Sequence, residues 1–583
     1  MRTREVRSRW LLAAVVAAGL LVAAAAISDA AEPVVLGQVT FRNIKALVDK
    51  SAKVAEKAWP GGGVFVNEAA AQMLDENVLG GVDWTKPITL VFLSGKEFGK
   101  KEPTVVAVLP LLDAKKFGEA AKAAGIGKID LQGNLAIVSE DEGAIKFVTP
   151  QRLLGYSAFP AEAGTADIAA SFTVGQSLEE YMDEISEGIL RLEEQVGGLG
   201  NIGPGAFLVK AVKAFRPLVK LAAKQVKSAG LNVQLNENSI DLKWRMTAAE
   251  GTELATFIAS QPAGGSDLVK YLPPEAVAGL AAKMDWMKLQ PFANAIIGSL
   301  AGPLDLKADM QQKFTQMMFG STATGEFVQI VASGAGHEGM QVVQVSKIGD
   351  PEKLRTAMKE TMEWMAGGLS SLFETAGVKM KVDYKANIRQ YKDVPVDQIT
   401  VSFEQEQGGA NPFAGQMPPQ VSQVAAFDTF AVTASQNPKG DLLDAAIDRI
   451  KGGGAGLDTN AAYQRAKAAA PQGANIVGFA LFNSLLAKFI EQAAKQQPMI
   501  ALIAGGIAQA DPTEEPITAY TVFNKDTLEE GIRIPHQPIV TFATRIRHLK
   551  EQFEQQPGFG PPRKAQPKGQ PKAPTKRPNI DEF

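Results

Sequence analysis

Three histidines and no cysteine limit the chemistry open to this chain. His337, His536 and His548 include no zinc-spaced pair. Without cysteine there is no thiolate metal site, no disulfide and no thiol nucleophile. His337 stands beside Glu338 and could assist proton transfer, but its glycine-rich surroundings read first as an exposed turn. His548 lies in the basic stretch Arg545 to Lys550 and reads as the solvated end of a helix.

Two segments carry spaced glycines. Gly334-Ala335-Gly336-His337-Glu338-Gly339 follows an apolar strand, but a second strand follows it. A dinucleotide site needs a helix N-terminus there to hold the pyrophosphate, so this segment reads as a hairpin turn. Gly198-Leu199-Gly200-Asn201-Ile202-Gly203 follows a helix and precedes Pro204, which makes it a link between helices. Gly452-Gly453-Gly454-Ala455-Gly456 lacks the Lys-Ser/Thr of a phosphate loop and reads as a flexible connector. No Gly-x-Ser-x-Gly elbow is present. The carboxylate pairs Asp183-Glu184 and Glu193-Glu194 fall on the polar side of a heptad helix, where solvent is the default partner. The inventory yields no catalytic, cofactor-binding or metal-binding residue.

The N-terminus carries an address. Arg2, Arg4, Arg7 and Arg9 precede an apolar run from Trp10 to Ile27. Ser28-Asp29-Ala30 then offers the small-x-small exit of a secretory signal, with cleavage expected between Ala30 and Ala31. The run approaches the ~20 residues that cross a bilayer, so an uncleaved anchor is the alternative. A large exported chain without cysteine suits a bacterial envelope protein better than a small disulfide-stapled module.

The elements that must position any site recur along the chain. Four strand-then-helix units are expected: Gly63–Glu68 into Ala69–Glu76, Ile168–Val174 into Ser177–Val196, Val277–Met284 into Asp285–Ile297, and Ile476–Phe482 into Asn483–Gln496. A second unit leads from a strand to an Asp-capped helix. It occurs at Val105–Leu109 with Asp113 and at Val342–Val345 with Asp350-Pro351. Ile517–Phe523 with Asn524 to Leu528 is a weaker third copy. Hairpins are expected between 88–93 and 104–109, 232–235 and 240–246, and 326–332 and 340–345. Hairpins imply antiparallel neighbours, so the expected class is α+β. The organisation follows: a signal at 1–30, two pseudo-repeated lobes at 31–265 and 266–555, and a tail at 556–583.

One region reads as an inserted helical hairpin, 178–229. Leu178, Met182, Ile185, Ile189, Leu192 and Val196 form one apolar seam; Leu208, Val212, Phe215, Val219, Ala222 and Val226 form the other. Its arms carry opposite charge, with Glu179, Glu180, Asp183, Glu184 and Glu187 facing Lys210, Lys213, Lys220, Lys224 and Lys227. Packing inside the protein accounts for the basic arm better than a membrane surface does. Pro217 should kink the second arm. Met310, Phe314, Met317, Met318 and Phe319 make a soft apolar cluster, read as core.

Charge is unevenly distributed. From Ala31 to Gln556 there are 50 basic and 59 acidic residues; from Pro557 to Phe583 there are six basic and two acidic, with seven prolines. The tail is expected to be disordered. An acidic body excludes a nucleic-acid binder. The partners open to the tail are anionic envelope polymers or a membrane surface.

With its signal peptide, repeated strand-helix units and alternating lobes, the chain loosely resembles large exported bacterial proteins of unknown function. The resemblance carries over no activity, cofactor or site residue. The expected function is a non-enzymatic envelope protein of binding or scaffolding type, periplasmic or extracellular. The alternatives are a carrier of lipid or another apolar ligand and, third, a carboxylate-dependent hydrolase.

Overall fold

Short apolar strands with small residues interleaved build the centre of each half of the chain, and each runs into a helix. The computed structural model describes residues 35–74, 79–148, 166–197, 204–303, 323–332, 340–369, 378–405, 419–435, 441–496 and 513–555, with a few more between 308 and 315. The segment expected to be a signal, residues 334–339 with His337, residues 198–203, all five residues of the expected 310–319 apolar cluster and residues 556–583 lie outside the described residues.

The first half runs β1 (Val35–Phe41), α1 (Ile44–Ala58), α2 (Gly62–Met73), β2 (Ile88–Leu93), β3 (Thr104–Pro110), α3 (Ala114–Ala124), β4 (Lys128–Gln132), β5 (Leu135–Ser139), α4 (Glu142–Phe147), β6 (Ile168–Phe172), α5 (Val174–Glu180), α6 (Met182–Gly197), α7 (Pro204–Gln225), β7 (Val226–Leu235), β8 (Ser239–Ala248) and α8 (Glu253–Ala259). The second runs β9 (Ala276–Lys283), α9 (Gln290–Ala301), β10 (Ala323–Ala332), β11 (Gln341–Ile348), α10 (Pro351–Trp364), β12 (Val378–Tyr391), β13 (Val394–Gln405), β14 (Gln420–Phe427), β15 (Phe430–Ser435), α11 (Asp441–Gly452), α12 (Ala461–Ala469), β16 (Ile476–Ala480), α13 (Phe482–Gln496), β17 (Ile517–Asn524), β18 (Thr527–Pro535) and α14 (His536–Gln555).

The fold is α+β, and the eighteen strands of the described residues pair antiparallel in one sheet. Their order across it is β4-β5-β3-β2-β1-β6-β7-β8-β18-β17-β16-β9-β10-β11-β15-β14-β13-β12. Read outward from the β8·β18 seam, the two halves match strand for strand. Only the β12–β13 hairpin is extra. Local chemistry repeats with the connectivity. Asp113 accepts from Lys116 N at the start of α3, and Asp350 accepts from Glu352 N and Lys353 N at the start of α10. Asp167, just before β6, accepts from Leu235 N at 2.7 Å, and Asn475, just before β16, accepts from Phe523 N at 3.1 Å. The two positions are equivalent. Asp167 is balanced by Lys50, and the neutral Asn475 needs no cation.

Three of the four strand-helix units stand where the sequence places them, at β6, β9 and β16. The first does not. Gly63–Glu68 is helical, part of α2, and the true first unit is β1 followed by α1. Glycine explains the misreading. A Cβ on Gly62 would sit 2.5 Å from Ala55 O, so Gly62 lets α2 cross close against α1. The expected third Asp-capped helix at Asn524–Leu528 is also absent. Lys525 adopts φ +54° in a tight turn, and Asn524 pairs with Thr527 to start β18. Nor is the Gly452–Gly456 connector free, since Arg449 Nε donates to Ala455 O at 2.9 Å.

The inserted helical region is present but differs from its expected form. Its first arm breaks at Tyr181 into α5 and α6, and its second ends at Gln225, so Val226 and Lys227 belong to β7. Leu178, Val219 and Ala223 form the buried seam. Leu192 and Phe215 are exposed, because Ala214 rather than Phe215 turns inward. Among the described residues no ion pair joins α6 to α7; Glu184 pairs instead with Lys96. Leu178→Asp should therefore cost several kcal/mol by burying an unpaired charge, and Phe215→Asp should stay within about 0.5 kcal/mol of the parent. Denaturant midpoints of the two variants check the assignment.

Helices cover both faces of the outer sheet. In the second half, Leu443 and Ile447 of α11 and Tyr463 of α12 bury Val328, Ile330, Val343, Val345 and Val432. On the opposite face, Leu354 of α10 packs on Ile348, Ala426 and Ala431. The extra hairpin is clamped from both sides. Asp397 of β13 is 2% exposed, and its Oδ1 accepts from Arg355 Nη2 (2.6 Å) and Asn387 N (2.9 Å). Its Oδ2 accepts from Arg355 Nε (2.9 Å) and Tyr384 Oη (2.7 Å). Across the hairpin, Arg389 donates to Asp444 and Tyr391 to Asp448, both on α11. Although burial alone would push it up, the Arg355 guanidinium and the other donors hold the Asp397 carboxyl below the usual range. Burial pushes the Tyr384 hydroxyl up to about 12.

Asp397→Ala should cost about 3 kcal/mol, because the largely buried Arg355 loses its bidentate carboxylate. Asp397 has a depressed folded pKa. Its contribution is present above the unfolded carboxylate value and is lost as pH falls through the lower folded value. The gap in denaturant midpoint between parent and variant should therefore close in acid.

Candidate functional site

The sequence of β8 alternates strictly: Ile240, Leu242, Trp244 and Met246 on one face, Asp241, Lys243 and Arg245 on the other. In an antiparallel sheet such a strand has one face for a core and one for water. Cross-strand register extends both characters over the centre of the molecule. Leu231 of β7 stands opposite Trp244 of β8, and Leu242 stands opposite Ile532 of β18. Ile532 faces Ala519 of β17, Ala519 faces Gly478 of β16, and Gly478 faces Leu280 of β9. The result is one apolar row spanning six strands and both halves; it steps by one pair between Leu242 and Trp244, and Glu530 of β18 stands opposite Trp244 on the same face.

That row is open. Trp244 is 55% exposed, Ile532 43%, Leu231 42% and Leu280 38%. At one end of these strands Phe257 of α8 packs edge-on to Phe523, and Met246 and Leu528 are covered with it. At the other end α14 leaves β18 and packs against α1 and α13. Among the described residues the middle stays uncovered.

The opposite face is polar and paired on β8 and β18, while on β17, β16 and β9 it carries Tyr520, Val477, Phe479 and Ala281 into the core of the second half. Arg245 Nη2 lies 2.9 Å from Glu529 Oε2, Tyr520 Oη donates to Glu529, and Arg533 stands 3.7 Å from Asp241. On β8 and β18 the charged side pairs within itself, and among the described residues the apolar side has no cover at its centre. Contiguous exposed apolar area of this kind marks an interaction surface.

Buried carboxylates elsewhere are mostly saturated. Glu514 accepts from Asn483 N (2.6 Å) and from Ser484 N and Oγ, so it closes the start of α13. Asp397 and Asp167 are filled by the donors described above. Glu180 is the exception. It is buried, and among the described residues no hydrogen bond reaches its carboxylate. Lys96 binds the Glu180 backbone carbonyl instead and pairs with Glu184 at 3.4 Å. Glu184, expected on a solvated face, has one carboxylate oxygen buried. Burial pushes the Glu180 carboxyl up, against the pull of Lys96.

Of the histidines, His536 is buried at the start of α14, with Nδ1 3.2 Å from Glu237 O, and His548 is exposed. Among the described residues no three His, Cys, Asp or Glu side chains are placed to hold a metal ion. No helix of the described residues is long and apolar enough to cross a membrane. The apolar row was not singled out from sequence. Its signal was present in the strict alternation of β8, but alternation cannot say whether another layer covers the apolar side. No family model, no curated protein and no solved structure matches the chain.

Glu180 gives a pH test. Its folded pKa is raised, so native stability is greatest when the group is protonated and falls as pH rises through the folded value. Glu180→Gln removes that loss. The variant should outlast the parent in denaturant at alkaline pH, with the advantage vanishing below the ordinary carboxylate range. A pH-independent difference would contradict the assignment.

Proposed function

We propose that this chain is an exported, non-enzymatic binding or scaffolding protein of the cell envelope that engages its partner through the apolar centre of its sheet. The observation that carries the reading is the exposed row Leu231, Trp244, Ile532 and Leu280. Covering the exposed part of one such side chain contributes roughly 1 kcal/mol, so a partner seated on the row gains from several of these residues together. The aromatic anchor and flat aliphatic surround suit a macromolecular or lipid partner. The site of action rests on the Arg-rich, apolar N-terminus and its Ser28-Asp29-Ala30 exit.

The test is site-specific crosslinking in intact envelopes. A photo-crosslinking amino acid at Ile532 should give a discrete adduct, and the same group at Arg533, on the polar face of the same strand, should not. A lipid adduct at position 532 selects the carrier alternative, and a protein adduct selects scaffolding. Equal labelling at both positions, or none at either, removes the apolar row from any functional account.

A further inference from the structure

The turn between α1 and α2 carries an apolar knob with a basic collar. Trp59, Val64 and Phe65 are all exposed, Phe65 at 73% and Val64 at 58%. They are brought together because the chain reverses through Pro60, Gly61 and Gly62, with Gly61 at φ +82° and Gly62 against the backbone of α1. Glu56 fixes the turn by accepting from Gly61 N and Gly63 N, both at 3.1 Å. Its charge is thus placed on the free amides at the start of α2. Lys53 and Lys57 stand one turn apart on α1, exposed and without an ion-pair partner among the described residues. Lys50 of the same helix is turned instead toward Asp167. Glu68 lies a turn further from the tip along α2.

We propose that this knob is an interfacial anchor that seats the α1–α2 hairpin in an anionic bilayer surface. The residue types match that environment. Tryptophan favours the headgroup level, where its ring is half apolar and its N–H stays hydrated. Val64 and Phe65 reach the acyl boundary, and the two lysines extend their ammonium groups to anionic headgroups. The shape matches as well. The apolar groups sit on a convex tip, which a bilayer receives by yielding, whereas a protein partner needs a preformed pocket. This inference is independent of the apolar row on the central strands.

The full chain should cosediment with phosphatidylglycerol–phosphatidylcholine vesicles and bind phosphatidylcholine alone more weakly. Val64→Ser with Phe65→Ser should reduce partitioning about tenfold or more, with the melting curve unchanged, because both positions are exposed. Lys53→Gln with Lys57→Gln should reduce the preference for anionic vesicles, and equal preference in that variant and the parent overturns the role of the collar. Bromolipids in the vesicles should quench part of the tryptophan fluorescence, and Trp59→Phe should abolish most of that quenching while the protein still binds. Absence of vesicle binding by the parent overturns the proposal. So does equal partitioning of the serine variant, or quenching that survives Trp59→Phe.

Discussion

The antiparallel pairing of β8 with β18 is the contact on which the whole architecture depends. It runs from Thr247 opposite Thr527 to Ser239 opposite Pro535 and converts two sheets into one. Its strength lies in the backbone ladder rather than in the charges beside it. Arg245–Glu529 and Arg533–Asp241 are partly exposed pairs, each worth on the order of 1 kcal/mol or less. Their role is to set the register. A slip of β18 by one residue would turn Glu529 and Arg533 to the apolar face and part them from Arg245 and Asp241. The apolar row exists only because this register is held.

Charge is handled differently at the centre and in the outer parts. At Asp397, Asp167 and Glu514 the buried carboxylate is surrounded by donors, as a low-dielectric interior demands. Those groups hold elements together: a hairpin, a strand end, a helix start. Glu180 breaks the pattern at the joint between α5 and α6, where Lys96 is committed to a backbone carbonyl and to Glu184. The charged form is least comfortable there, at the one break in the first arm of the inserted helical region.

Much of the fold was readable locally. Apolar alternation located β3, β8 and β11, and an Asp at the end of a strand marked the starts of α3 and α10, because a capping side chain is a short-range device. The failures also have local causes. Val64-Phe65-Val66 has strand composition, yet Gly62 and Gly63 allow a close helix crossing that overrides it. Phe215 fits the heptad by spacing, but smaller Ala214 takes the buried position. The candidate surface was half readable: residue order gives the faces of β8, but the bareness of one face depends on where α8 and α14 end in space. The seam itself left no local trace, since Arg245 and Glu529 are 284 residues apart.

That separation has a kinetic consequence. All eight strands of the first half precede Ala248, so this half can complete its own sheet while most of the second is still unmade. Until β18 arrives, β8 is a bare edge of ten residues, apolar on one side, with its backbone donors and acceptors unpaired. Such an edge is a template for the wrong partner, above all another copy of the same nascent chain. The correct partner is the last of the described strands to be synthesised, and a contact of such high sequence separation closes slowly. A chain built this way is therefore most vulnerable to intermolecular strand pairing late in its own synthesis, and it is the arrival of β18 that ends the exposure.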